Sequence, residues 1–155
     1  MGLPEDAIEQ NAALFEGFNK VIERYDNPEE ARAELAGAAA MLPADQRRQI
    51  LDQLLDPWMF WFSKYDPSEA ILATECPVLA LGGSKDLQVV AEQNLGHLRE
   101  LQSRNSKNNM TIEELPGLNH LFQHCDTGLN TEYGTIEETF AEDALERIAV
   151  FICNQ

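Results

Sequence analysis

Apolar residues recur at helical spacing from the start of the chain. Ile8, Ala12, Phe15, Phe18, Ile22 and Tyr25 step by four, three, three, four and three, which predicts one helix with a single apolar stripe. Asn27-Pro28-Glu29-Glu30 ends it and opens another: Asn27 can cap free amides, Pro28 suits a first turn, and the two acids favour the positive helix end. The alanine-rich stretch from Ala31 to Met41 permits close helix contacts. Pro43 opens a third helix, whose Ile50, Leu51, Leu54 and Leu55 form its predicted buried side. Asp56-Pro57 and Asp66-Pro67 repeat the cap-plus-proline signature, so Trp58–Tyr65 and Ser68–Thr74 are predicted as short helices.

The pattern changes at Cys76-Pro77. Val78-Leu79-Ala80-Leu81 is wholly apolar and is followed by Gly82-Gly83, as expected of a strand covered on both faces. A helix from about Val89 to Arg104 follows, with Val90, Leu95, Leu98 and Leu101 available for burial, then a polar loop over 103–109. Met110 to Leu115 reads as a second strand closed by Pro116-Gly117. Strand, helix, strand at this length is a βαβ unit, so the two strands are expected to run parallel with a right-handed crossover. Glu142 to Cys153, with Leu145, Ile148, Ala149 and Ile152 at helical spacing, is the predicted closing helix.

Composition narrows the function. The 155 residues fit one domain and leave little room for a second. Lys plus Arg number 11 and Asp plus Glu 27, a formal charge of −16, which argues against nucleic-acid binding and against binding to anionic membrane surfaces. Hydrophobic residues at 44% supply a core, and no apolar run is long enough to span a bilayer. The start Met1-Gly2-Leu3-Pro4-Glu5-Asp6 lacks the basic and apolar segments of a secretory signal, and Asp6 stands where myristoylation of Gly2 needs Ser or Thr. A cytoplasmic setting is therefore expected. Cys76, Cys125 and Cys153 lack C-x-x-C spacing and are expected as free, buried thiols. His120, His124 and Cys125 lack the zincin pattern, since Leu121 stands where Glu is needed, so neither a metal site nor a cofactor is expected.

Parallel strands place the loops that follow them on one edge of the sheet. Gly82-Gly83-Ser84-Lys85-Asp86 follows the first strand and Pro116-Gly117-Leu118-Asn119-His120 the second, so topology sets Asp86 beside His120. A carboxylate against an imidazole fixes its tautomer and makes it a usable general base. Pattern alone leaves a second reading open, in which Asp86 caps the next helix and His120 is an ordinary loop residue. Asn119 is expected to position the His loop through hydrogen bonds, and His97 and His124 are read as surface or packing residues. Trp58, Phe60, Trp61 and Phe62 are read as core or cap packing in preference to a ligand-binding lid. Glu5, Asp6, Glu9, Glu29 and Glu30 are read as first-turn acids on solvated faces.

The run Pro77-Val78-Leu79-Ala80-Leu81-Gly82-Gly83-Ser84-Lys85-Asp86-Leu87-Gln88-Val89 resembles the segment that carries the catalytic Asp in α/β-hydrolases. It is most similar to a branch related to dienelactone hydrolases and serine peptidase-like esterases. Leu115-Pro116-Gly117-Leu118-Asn119-His120-Leu121-Phe122-Gln123 resembles that branch's catalytic His loop. Trp58 to Pro67, with its Tyr-Asp-Pro ending, and Tyr133 through Glu137-Glu138-Thr139-Phe140 extend the likeness from about Asp56 to the C-terminus. The resemblance implies a partial α/β-hydrolase fold: a helical, cap-like segment over 1–56, then over 57–155 a parallel βαβ unit and a closing helix. It also implies Asp86 as the orienting acid and His120 as the general base. Val90 stands where the family usually has Pro.

The family's nucleophile sits in Gly-x-Ser-x-Gly, ahead of both the Asp and the His, and this sequence has no such elbow. Ser84, the nearest serine of that kind, lies two residues from Asp86 without the second glycine. The oxyanion-hole strand and loop are missing too, and one such donor is worth about 2.7–4 kcal/mol of barrier. The resemblance thus implies the C-terminal half of a serine hydrolase of esters or amides, inactive alone. An N-terminal neighbour of the first strand would be lacking, leaving an open apolar edge. A homo-oligomer, most simply a dimer, or a complementing N-terminal hydrolase half is expected there. The alternative is a non-catalytic oligomeric binding or interaction module.

Overall fold

A computed structural model describes residues 4–155, the side chains of Asp6 and Ala7 excepted. The readings of Gly2 and of the Asp6 side chain lie outside those described residues. Among the described residues, seven α-helices and one two-stranded parallel sheet give a mixed α/β architecture that is mostly helical. Among the described residues no helix is long and apolar enough to cross a membrane. The chain forms two compact units, Met1–Asp66 and Pro67–Gln155.

The first unit holds α1 (Glu5–Ile22), α2 (Pro28–Ala38), α3 (Ala44–Leu54) and α4 (Pro57–Lys64). Its helix starts follow the predicted chemistry. Asn27 Oδ1 accepts the Glu30 amide at 3.1 Å while its Nδ2 donates to Glu30 Oε1 at 2.7 Å. Asp56 Oδ1 accepts the amides of Trp58 and Met59 at 3.1 and 3.0 Å. The core joins Phe18, Val21 and Ile22 of α1 to Ala31, Leu35 and Ala39, to Leu55, and to Phe60 of α4, with Ile50, Leu51 and Leu54 packed against it. Burying a side chain such as Phe18 is worth about 1.5–3 kcal/mol.

Two apolar surfaces of this unit are only partly covered. The α1 stripe is buried only at its C-terminal end: Ile8 and Phe15 are each 53% exposed. An 18-residue helix is about 27 Å long and its partner α2, at 11 residues, about 16 Å, so the first two turns of α1, with Ile8, outrun their cover, while Phe15 meets Phe18 edge-on and stays exposed. Of the α4 aromatics only Phe60 enters the core. Trp58, Trp61 and Phe62 are exposed, stacking instead along the helix as Trp58 on Phe62 and Trp61 on Tyr65. An eight-residue helix has one narrow buried face, and three consecutive aromatics cannot share it.

The second unit holds α5 (Ser68–Ala73), β1 (Val78–Gly83), α6 (Ala91–Arg104), β2 (Met110–Leu115), a 3₁₀ turn over Asn130–Glu132, and α7 (Glu142–Cys153). The strands pair in parallel from Val78 opposite Met110 to Gly83 opposite Leu115. Alternation along the strands sends Val78, Ala80 and Gly82 to one face. There α6 packs so closely that a Cβ on Gly82 would meet Leu95 and Ala91 at 3.2–3.4 Å. On the other face Leu81 and Leu115 meet Leu118, Phe122, Phe140, Ala141 and Ala144. Arg147 of α7 grips both carboxylate oxygens of Glu113 on β2, one of them at 2.7 Å from Nε.

The apolar run of β1 is half-buried rather than covered on both faces. Two strands make a narrow sheet, and α7 turns only Ala144 fully inward, leaving Leu145 and Ile152 exposed. β1 also runs two residues further than expected, taking Gly82 and Gly83 into the ladder. The thiols are free, as expected, but Cys76 and Cys153 are exposed and Cys125 half-buried; the first precedes a strand and the last ends a helix, positions this small core does not reach.

Candidate active site

The site is assembled where the two strands end. Ser84 N donates to Leu115 O at 2.9 Å and Lys85 N to Leu118 O at 3.0 Å, so the loop after β1 is stitched along the loop after β2. Ser84 Oγ accepts the Gly117 amide at 2.8 Å, and Lys85 Nζ donates to Cys125 O at 2.6 Å. Two glycines make so close an approach possible. A Cβ on Gly83 would stand 2.2 Å from Leu118 O, and one on Gly128 (φ +78°) 2.0 Å from Lys85 O.

Those stitches bring Asp86 to His120. Nδ1 of the imidazole lies 2.9 Å from Asp86 Oδ2. A carboxylate only accepts, so Nδ1 carries the donated proton and Nε2 of the neutral ring keeps its lone pair. Asp86 Oδ1 is occupied separately, accepting the amides of Gln88 and Val89 at 2.9 and 2.8 Å. That turn delays α6 until Ala91, two residues later than the sequence pattern suggests. Asp86 is buried, and burial by itself raises its pKa. The Val89 amide, the His120 ring and the Gln88 amide more than offset this and hold the carboxyl below its ordinary value. The His120 side chain is 37% exposed, and its Nε2 makes no hydrogen bond among the described residues.

Asp86 does not cap α6, whose N-cap is Val90 without a side-chain cap bond; it closes the turn ahead of that helix and meets the imidazole with its other oxygen. Ser84 is committed to the Gly117 amide, which fits a loop tie and not an elbow nucleophile. His97 lies apart, within reach of Ser68 Oγ at 3.3 Å. His124 turns to Glu138, with Nδ1 at 3.1 Å from Oε2. Among the described residues no three His, Cys, Asp or Glu side chains converge to hold a metal ion.

The His loop is a built structure. Asn119, wholly buried, accepts the amides of Leu121 and Gln123 on Oδ1 at 2.9 and 3.0 Å, as its place beside His120 suggested. Phe122 adopts φ +55°, a left-handed conformation that costs a non-glycine residue on the order of 1–3 kcal/mol. It is held there by Ala141 N donating to its carbonyl at 2.7 Å and by stacking on Phe140 at 5.3 Å. Gln123 Nε2 donates to Glu138 O at 2.7 Å, and Gln88 Nε2 to Tyr133 OH at 2.8 Å. The segment 133–141 thus clamps both loops. Sequence reasoning gave Gln123 and Glu138 no role of their own, although both stand in the segments that carry the resemblance. Compared with known proteins, the chain finds no match among family models, curated proteins or solved structures.

Proposed function

We propose that the chain is the acid–base half of a serine-type α/β-hydrolase acting on esters or amides, with Asp86 orienting and His120 as general base. The observation that carries this reading is the 2.9 Å contact between Nδ1 and a carboxylate already fixed by two backbone amides. The imidazole is 37% exposed and its second nitrogen has no hydrogen bond among the described residues, which leaves it free to deprotonate a serine hydroxyl. The likeness of the two loop sequences to the hydrolase Asp and His segments supports the same assignment. The nucleophile and oxyanion donors come from residues beyond these 155, on a polypeptide that lies beside β1.

A phosphonate probe that captures activated serines tests the proposal. The purified chain remains unlabelled. The polypeptide or complex recovered from cells through a tag on this segment hydrolyses p-nitrophenyl esters and is labelled at a serine outside the segment. His120→Ala in that assembly lowers kcat by about 10²–10⁴-fold. Labelling of Ser84 in the isolated chain, or hydrolysis indifferent to His120→Ala, would contradict it.

A second reading, an interaction module without catalysis, draws on the single-neighbour strand β1 and on the exposed Leu87, Val89 and Leu121 that flank the pair in sequence. Partner binding that survives simultaneous replacement of Asp86 and His120, with no hydrolytic activity to lose, would favour it.

A further inference from the structure

We infer that Asn119 is the positioning residue of His120, a role that rests on the acid–base reading above. Three of its side-chain hydrogen bonds lie within the five-residue turn that carries the imidazole. Oδ1 takes the amides of Leu121 and Gln123, and Nδ2 donates to Gln123 Oε1 at 3.1 Å. Its backbone closes the same turn, its amide donating to Gln123 O and its carbonyl accepting from Phe122 N, both at 3.0 Å. His120 is therefore enclosed between two residues that bind each other through main chain and side chain alike.

The side-chain chemistry is selective. One oxygen must receive two amides while a nitrogen of the same group, on the same short stem, donates to Gln123. Aspartate lacks the donor, serine the reach, and glutamine is one methylene too long. The outer end of the link is fixed as well, because Gln123 donates to the Glu138 carbonyl. A left-handed Phe122 inside the turn has an intrinsic preference to leave that conformation, so the bonds made by Asn119 oppose a real tendency.

The two members of the acid–base pair have separate anchors. Asp86 is held by the amides of Gln88 and Val89, which belong to its own loop and not to the His turn. Releasing Asn119 therefore displaces His120 while Asp86 stays in place, and the 2.9 Å contact opens from one side only. This distinguishes positioning from general support of the fold, since loss of the fold would move both anchors.

Proton NMR of the intact chain reads the contact directly, through the downfield Nδ1–H resonance of an imidazole bonded to a carboxylate. The wild-type chain shows the resonance and Asp86→Asn abolishes it. Asn119→Ala and Gln123→Met each lose it, while the Gln88 and Val89 amide resonances keep their wild-type shifts. Where Asn119→Ala does not fold, the near-isosteric Gln123→Met decides. A resonance that persists unchanged in the folded variants overturns the role of Asn119 and leaves the acid–base pair standing. Its absence from the wild-type chain overturns the pair itself, and the positioning role with it.

Discussion

The carboxylate of Asp86 ties the site to the stability of the second unit. Its folded pKa lies below the ordinary value of about 3.9. A depressed acid contributes stability that is fully present above the unfolded pKa and is lost as pH falls through the folded one. Asp86→Asn should therefore cost about 1–3 kcal/mol near neutral pH, because two amides and an imidazole lose their charged partner. Urea midpoints of the variant should fall less steeply than those of wild type as pH drops below about 5. Parallel slopes would show that the carboxylate is not held in this way. Two glycines offer a matched contrast. Gly83→Ala drives a methyl onto Leu118 O and should cost about 1–3 kcal/mol by forcing the two loops apart. Gly96→Ala, in helix α6 with open space around it, should stabilise by about 0.5–1 kcal/mol. Thermal melts of both variants check the pair, and equal effects would contradict the close loop approach. Asp86 and His120 were legible in the sequence because parallel strands carry their following loops to one edge. Gly83 was not, because the atom it avoids belongs to Leu118, 35 residues away, and Gln123 was not, because its anchor is a backbone carbonyl at Glu138.

Helix ends were legible wherever a side chain states them. Asn27-Pro28 and Asp56-Pro57 start α2 and α4 as their capping chemistry requires, and periodicity alone bounds α7 at Glu142 and Cys153. Burial was less legible, since an apolar pattern reports what an element can cover and not what is there to cover it. Ile8 extends the α1 stripe past its partner, Phe15 stays exposed beside Phe18, and the apolar run of β1 meets a sheet only two strands wide. That edge carries its own prediction. Val78 N donates to Asn109 O, so by alternation the amides of Leu79 and Leu81 face away from β2. We propose that the isolated chain self-associates there, where its complement is missing. Leu79→Pro removes one outward amide without cutting the β1–β2 ladder. Light scattering at micromolar concentration should give more than the monomer mass for wild type and the monomer mass for the variant. A monodisperse wild-type monomer would contradict pairing at this edge.

At the scale of the whole chain, a four-helix unit and a βαβ unit each hold their own core, and the site draws on the second alone. The charge of −16 adds little local support, because pairs such as Lys20–Glu16 and Arg32–Glu29 are solvent-exposed and screened by water and salt. The proposed chemistry rests on one hydrogen bond between side chains 34 residues apart. Groups that act as a unit in catalysis lose most of their effect when either one is removed. The most direct measurement is a double-mutant cycle on ester hydrolysis by the assembly that contains this segment, using Asp86→Asn, His120→Ala and the two combined. The pair acting together predicts that the double variant is scarcely slower than His120→Ala alone. Losses that multiply, or a double variant as active as wild type, would contradict a shared role for Asp86 and His120.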